Sequence, residues 1–308
     1  MGITGEVSGL AYLSLPGRIV DVARRRLVLC GCLAMLVGGC NLTPIDRRTI
    51  QTSDGVTLSV LEAGREYASL PGLKIALIPG WSMPAAIWHR QLEDLGRSFH
   101  TLVLDPRGQG ESEVPASGYT AERRATDLHE FLQPLSNVLL IGWSLGAIES
   151  LQYVHMFGAD RLAGLVLVDS SVGEGPAPPP DGTFTQRLRN DRDKMLDEFV
   201  RAIFAKPRPE AEISELLRGA KRLALEDSLA LLSYPFERTH WRQIAHAFKK
   251  PLLYVVTPQF EEQAQNLQKN RPATQVEVFK DAGHALFVDE PDRFNRLITD
   301  FAQSISRR

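Results

Sequence analysis

Two side chains in this sequence have the type and setting for nucleophilic chemistry. Residues 137–147 carry a short apolar run straight into Gly142-Trp143-Ser144-Leu145-Gly146. A strand that turns sharply into a helix forces the central residue of such a segment into a strained backbone, and flanking glycines let the turn close. The Ser144 hydroxyl is then expected to stand exposed above a sheet. A serine hydroxyl is weakly nucleophilic at neutral pH and needs a base. Residues 276–284 offer one, because alternating apolar residues mark a strand that ends in Asp281-Ala282-Gly283-His284. The remaining histidines lack such a setting. A serine followed about 140 residues later by a histidine, each near a strand end, fits a nucleophile and its general base.

The elements that must hold these residues follow from hydrophobic periodicity. Strands are expected at 55–63, 74–79, 100–105, 137–143, 163–169, 251–256 and 274–280. Helices are expected at 121–134, 145–157, 259–269 and 291–306. That alternation predicts an α/β fold with a mostly parallel central sheet flanked by helices. Between 176 and 248 the character changes. Prolines and glycines punctuate the entry, and amphipathic helices follow at 184–204, 209–219 and 224–233. The expected organisation is an α/β core at 55–175 and 249–308 interrupted by a helical insertion at 176–248. The segment Asp105-Pro106-Arg107-Gly108-Gln109-Gly110-Glu111-Ser112 is glycine-rich but lacks the Gly-Lys-Ser/Thr ending of a phosphate-binding loop. It reads as a structural turn after a strand, with Arg107 bracing loops.

Taken together, Gly142–Gly146, Asp105–Ser112, Leu77-Ile78-Pro79-Gly80-Trp81 and residues 281–291 resemble the α/β-hydrolase fold family. The resemblance covers roughly residues 55 to 306. It is nearest to small carboxylesterases, including the cofactor-free chloroperoxidase-type esterases and the pimeloyl-carrier-protein methyl ester esterases. It implies a Ser-His-acid triad, no cofactor and no metal. In most members the acid is an aspartate just after the penultimate strand, yet residues 251–260 contain none. Two positions remain, of which Asp169, ending the strand after the nucleophile helix, is favoured, with Glu261, displaced by about a residue from the usual place, as the alternative. The resemblance also implies an oxyanion hole from the backbone N–H groups of Leu145 and Trp81, each donor worth roughly 2.7–4 kcal/mol in the transition state. The implied activity is hydrolysis of a small carboxylic ester through an acyl-enzyme, and the insertion resembles the family's lid. Met195, Phe199, Ile203, Phe204, Leu229, Leu232 and Phe236 would line it or form its core, which favours an apolar acyl group. Alternatives are a perhydrolase or acyltransferase using the same site, or a non-catalytic lipoprotein binding module. Dehalogenase chemistry is disfavoured because it needs a carboxylate where Ser144 stands.

The N-terminus carries a separate message. Arg24-Arg25-Arg26 precedes an apolar run at 27–37 and then Gly38-Gly39-Cys40. Residues 1–40 read as a secretory signal, too short to span a bilayer comfortably, with a lipobox-like end that would make Cys40 a lipidated first residue. The expected location is therefore an exported enzyme, lipid-anchored to a bacterial membrane facing the periplasm or exterior, with a mis-assigned start and a cytoplasmic enzyme as the rival. Residues 41–54 read as a tether. A mature start at Cys40 leaves roughly 270 residues, enough for one catalytic domain with a cap. All three cysteines, Cys30, Cys32 and Cys40, lie in this leader, so no disulfide and no thiolate zinc site is expected in the body. A net charge of −2 with interspersed signs gives no nucleic-acid footprint.

Overall fold

The computed structural model describes residues 43–177 and 183–307. The expected signal at 1–40, with Cys40, lies outside the described residues. Eight strands form one sheet: β1 (Ile45–Gln51), β2 (Thr57–Ala63), β3 (Lys74–Ile78), β4 (Thr101–Leu104), β5 (Val138–Trp143), β6 (Leu162–Val168), β7 (Leu252–Val256) and β8 (Thr274–Val278). Their order is β1-β2-β4-β3-β5-β6-β7-β8. The first two junctions are antiparallel and the rest are parallel. Every residue of β3, β4, β5 and β7 is buried, as strands covered by helices on both faces require. The covering helices are α1 (His89–Leu95), α2 (Ala121–Leu132), α3 (Leu145–Phe157), α9 (Glu261–Asn270), α10 (Leu286–Asp289) and α11 (Pro291–Ser306).

Residues 45–51 correct the tether expected at 41–54. They form β1, an edge strand paired along its full length with β2. Charged residues at 46–48 disguise the period of two, but they have partners: Arg47 reaches Ser59 and Asp105, and Arg48 reaches Glu62. Such charges suit an edge strand, where they discourage further pairing.

The insertion between β6 and β7 is helical: α4 (Phe184–Asn190), α5 (Arg192–Ala202), α6 (Glu210–Ala220), α7 (Leu225–Ala230) and α8 (Arg238–Ala247). The single helix expected at 184–204 is broken at Asp191, whose carboxylate accepts from the Lys194 N–H and so caps α5. Sequence periodicity did not reveal α8, which packs on α3 through a face bearing Trp241, Ile244 and Ala245. Several hydrogen bonds tie the cap to the core, three of them near the carboxyl edge of the sheet. Trp81 Nε1 donates to the Ser228 carbonyl at 2.7 Å. The Ala205 N–H donates to Asp289 Oδ2, and the Ala285 N–H donates to the Ile203 carbonyl, both at 2.8 Å.

The chain reverses direction across the sheet between β3 and β5. After β3 it moves outward to β4, then returns to lay β5 on the other side. Parallel α/β sheets present their reactive groups beyond the carboxyl ends of strands flanking such a reversal.

Candidate active site

Successive parallel strands deliver the reactive groups to one edge. Trp81 follows β3, Ser144, Asp169 and Thr257 come directly after β5, β6 and β7, and His284 follows β8. Ser144 has φ 54° and ψ −118°, a conformation that costs a non-glycine residue on the order of 1–3 kcal/mol. It is held there from both sides, since its N–H donates to the Val168 carbonyl and its carbonyl accepts from Ala147 N–H at the start of α3. Gly146 allows the close approach this turn requires. A Cβ at that position would lie 2.6 Å from the carbonyl oxygens of Ile78 and Pro79, so only glycine lets α3 abut the loop after β3. Gly80 repeats the logic from the other side, where a Cβ would sit 3.1 Å from Ser144 Cβ.

His284 is 6% exposed and Asp169 1% exposed. His284 Nδ1 donates to Asp169 Oδ2 at 2.7 Å. An ionised carboxylate can only accept, so this contact places the ring proton on Nδ1 and leaves Nε2 free to take one. The other carboxylate oxygen accepts from both the backbone N–H of Thr257, at 2.7 Å, and its hydroxyl, at 2.8 Å. Asp169 sits at φ 43°, and its own N–H donates to the Val255 carbonyl. Tyr254 pins the following residue through its hydroxyl to the Ser170 carbonyl at 2.5 Å. Burial, and next Asp169, push the Tyr254 hydroxyl well above its ordinary range, so it stays a donor.

Glu261 is not brought to the histidine. It opens α9, where its carboxylate accepts from Gln265 on the same helix. Sequence reading also missed three supports. Thr257 stands just after β7, in the region where the family's acid was sought, and serves Asp169. Trp143 Nε1 donates to the His284 carbonyl at 2.8 Å, and its ring centroid lies 5.1 Å from the imidazole, which couples the residue before Ser144 to His284. Asp289 Oδ2 accepts from the Gly283 N–H at 2.8 Å and fixes the turn that carries His284. A Thr after a strand or an Asp five residues past a His has no sequence signature of its own.

The amides of Trp81 and Leu145 donate to no protein acceptor among the described residues, and the glycine contacts above bring their two segments together. The Trp81 ring meets Phe199 and Phe184 edge-on, with centroids 5.2 and 5.8 Å away. Of the expected cap residues, Met195, Ile203, Phe204, Leu229 and Leu232 are buried, whereas Phe236 turns aside to stack on His240. Arg107 lies away from these groups. Its Nε and one terminal nitrogen grip the two Asp127 oxygens at 2.6 and 2.7 Å, and it reaches Asp54 as well, so it braces loops.

Comparison with known proteins agrees with this architecture. The model of the alpha/beta hydrolase family matches residues 75–297. A pimeloyl-[acyl-carrier protein] methyl ester esterase of Vibrio vulnificus (strain CMCP6) is 27% identical over 264 residues, covering 75% of this chain and 94% of the relative. An esterase from Exiguobacterium antarcticum superposes with a TM-score of 0.69 at 22% identity, over 83% of this chain and 98% of its own. A bromoperoxidase from Bacillus anthracis superposes at 0.72 and 22%, over 84% of this chain and all of its own. At that identity the two structures speak for the fold. The chain belongs to the alpha/beta hydrolase family.

Proposed function

We propose that this chain is a serine carboxylesterase in which Ser144, His284 and Asp169 form the triad and the Trp81 and Leu145 amides form the oxyanion hole. The observation that carries the reading is the 2.7 Å hydrogen bond from His284 to Asp169, beside a serine in the strained strand-to-helix turn. His284 Nε2 takes the Ser144 proton as Oγ bonds to the ester carbonyl carbon. The carbonyl oxygen becomes an oxyanion facing two amides that have no competing protein acceptor among the described residues. The C–O bond to the alcohol then breaks, and the alcohol leaves with the proton from His284. Water repeats the sequence and releases the acid. Asp169 holds the imidazole in the required tautomer throughout.

The aromatic floor of Trp81, Phe199 and Phe184 favours an apolar acyl group, and the similarity to the methyl ester esterase of Vibrio vulnificus supports a small alcohol as leaving group. The non-catalytic alternative rested on a displaced acid, and the Asp169–His284 contact favours the catalytic reading over it. The test is hydrolysis of p-nitrophenyl esters of graded acyl length by the full chain. Turnover that vanishes in Ser144→Ala and survives in Glu261→Gln is expected; turnover indifferent to Ser144 would overturn the reading.

A further inference from the structure

The geometry points to Gln109 as a positioning residue that fixes the orientation of the Gly80–Trp81 peptide, with the buried Arg124–Glu149–Tyr234 cluster as its anchor. The inference rests on the oxyanion role proposed for the Trp81 amide. In a trans peptide the carbonyl of one residue and the N–H of the next point in opposite directions within one plane. Whatever holds the Gly80 carbonyl therefore aims the Trp81 N–H.

That carbonyl has two donors: Met83 N–H at 3.2 Å, which closes a turn, and Gln109 Nε2 at 3.0 Å. The turn alone is a strained device, since Ser82 within it sits at φ 57°. Gln109 Nε2 also donates to the Met83 carbonyl at 2.8 Å, so one side-chain amide clasps both ends of the turn. Its orientation is unambiguous. Its Oε1 accepts from both terminal nitrogens of Arg124, at 3.3 and 3.2 Å, and a guanidinium can only donate.

Arg124 is in turn immobilised. It is fully buried on α2, with Nε 2.9 Å from Glu149 Oε1 and a terminal nitrogen 3.0 Å from Oε2. Glu149 lies on α3, five residues after Ser144, and its Oε1 also accepts from the Tyr234 hydroxyl of the cap at 2.8 Å. Burial pushes the Glu149 carboxyl up, and Arg124 and Tyr234 oppose that. One polar chain thus runs from the cap, through the nucleophile's helix, to the peptide opposite Ser144. Hydrogen bonding to the Gly80 carbonyl also polarises the peptide, making its N–H a stronger donor.

The experiment compares the full chain with Gln109→Met and Gln109→Glu, which remove both donors while keeping length. Readouts are kcat and KM on a p-nitrophenyl ester, the inhibition constant of a trifluoromethyl ketone whose serine adduct places an oxyanion in the hole, and the melting temperature. Both variants are expected to lose about 10- to 100-fold in kcat with KM near parental, and to bind the ketone more weakly by a similar factor. Should Gln109→Met unfold, Gln109→Glu retains the Arg124 contact and carries the test. A Ser144-dependent parent whose soluble Gln109 variant keeps parental kcat and ketone affinity, or loses both only in step with melting, would overturn the positioning role. A parent that turns over esters without Ser144 would instead overturn the hydrolase mechanism itself.

Discussion

At the scale of single residues, the catalytic proposal turns on which carboxylate serves His284. Asp169→Asn keeps the shape but presents a group that can no longer fix the Nδ1–H tautomer, so kcat should fall by about 10⁴, while Glu261→Gln should stay within twofold of parental. Steady-state kinetics on one ester distinguishes these; equal losses in both variants would count against Asp169. The proposed nucleophile and base were legible in the sequence because each sits in a patterned segment, an apolar strand followed by a glycine turn. The proposed acid was legible only as a preference for Asp169 over Glu261, because both follow strands and only the third dimension shows which faces the imidazole. Thr257 was invisible for the same reason: its contribution is two hydrogen bonds to a residue 88 positions away.

At the scale of elements, the close contact of α3 with the loop after β3 positions both proposed oxyanion donors. Gly146→Ala would drive a methyl group into two backbone carbonyls, which cannot yield as a flexible side chain would. A loss of roughly 1–3 kcal/mol in stability is expected, with a fall in kcat beyond what that loss explains. Denaturant melts beside kinetics measure both; an unperturbed melt would contradict the packing. The loop braced by Arg107 makes a second prediction. Asp127→Ala would leave a buried guanidinium half-paired and should cost about 3–5 kcal/mol. Asp54, on the same guanidinium, is pulled down to about 2, chiefly by the hydrogen bond from Arg107. A depressed carboxylate stabilises the fold above its ordinary 3.8 and loses that contribution as pH falls towards 2, so Asp54→Asn should flatten the acid limb of a stability profile across that window. Short apolar runs alternating with helical segments made the parallel core readable, but β1 hid behind its charges and the break at Asp191 behind a continuous amphipathic pattern. In both cases a local polar contact, ion pairs across an edge or an N-cap, decided what periodicity could not.

At the scale of the whole molecule, the cap and core close over one sheet edge, and the proposed leader would decide where that edge works. Among the described residues no helix is long and apolar enough to cross a membrane. Membrane attachment of this enzyme is proposed to rest on lipidation of Cys40 after export, so Cys40→Ser should move the protein from the membrane to the soluble fraction when both forms are expressed in a bacterium. Equal partitioning would contradict an anchor at that residue. The central claim is that Ser144 is the nucleophile. Titrating the full chain with diethyl p-nitrophenyl phosphate and mapping the adduct by peptide mass spectrometry tests it most directly. One phosphoryl group per chain, on the peptide bearing Ser144, with esterase activity falling in proportion, is the predicted result; a label elsewhere, or turnover that persists at full occupancy of Ser144, would contradict it.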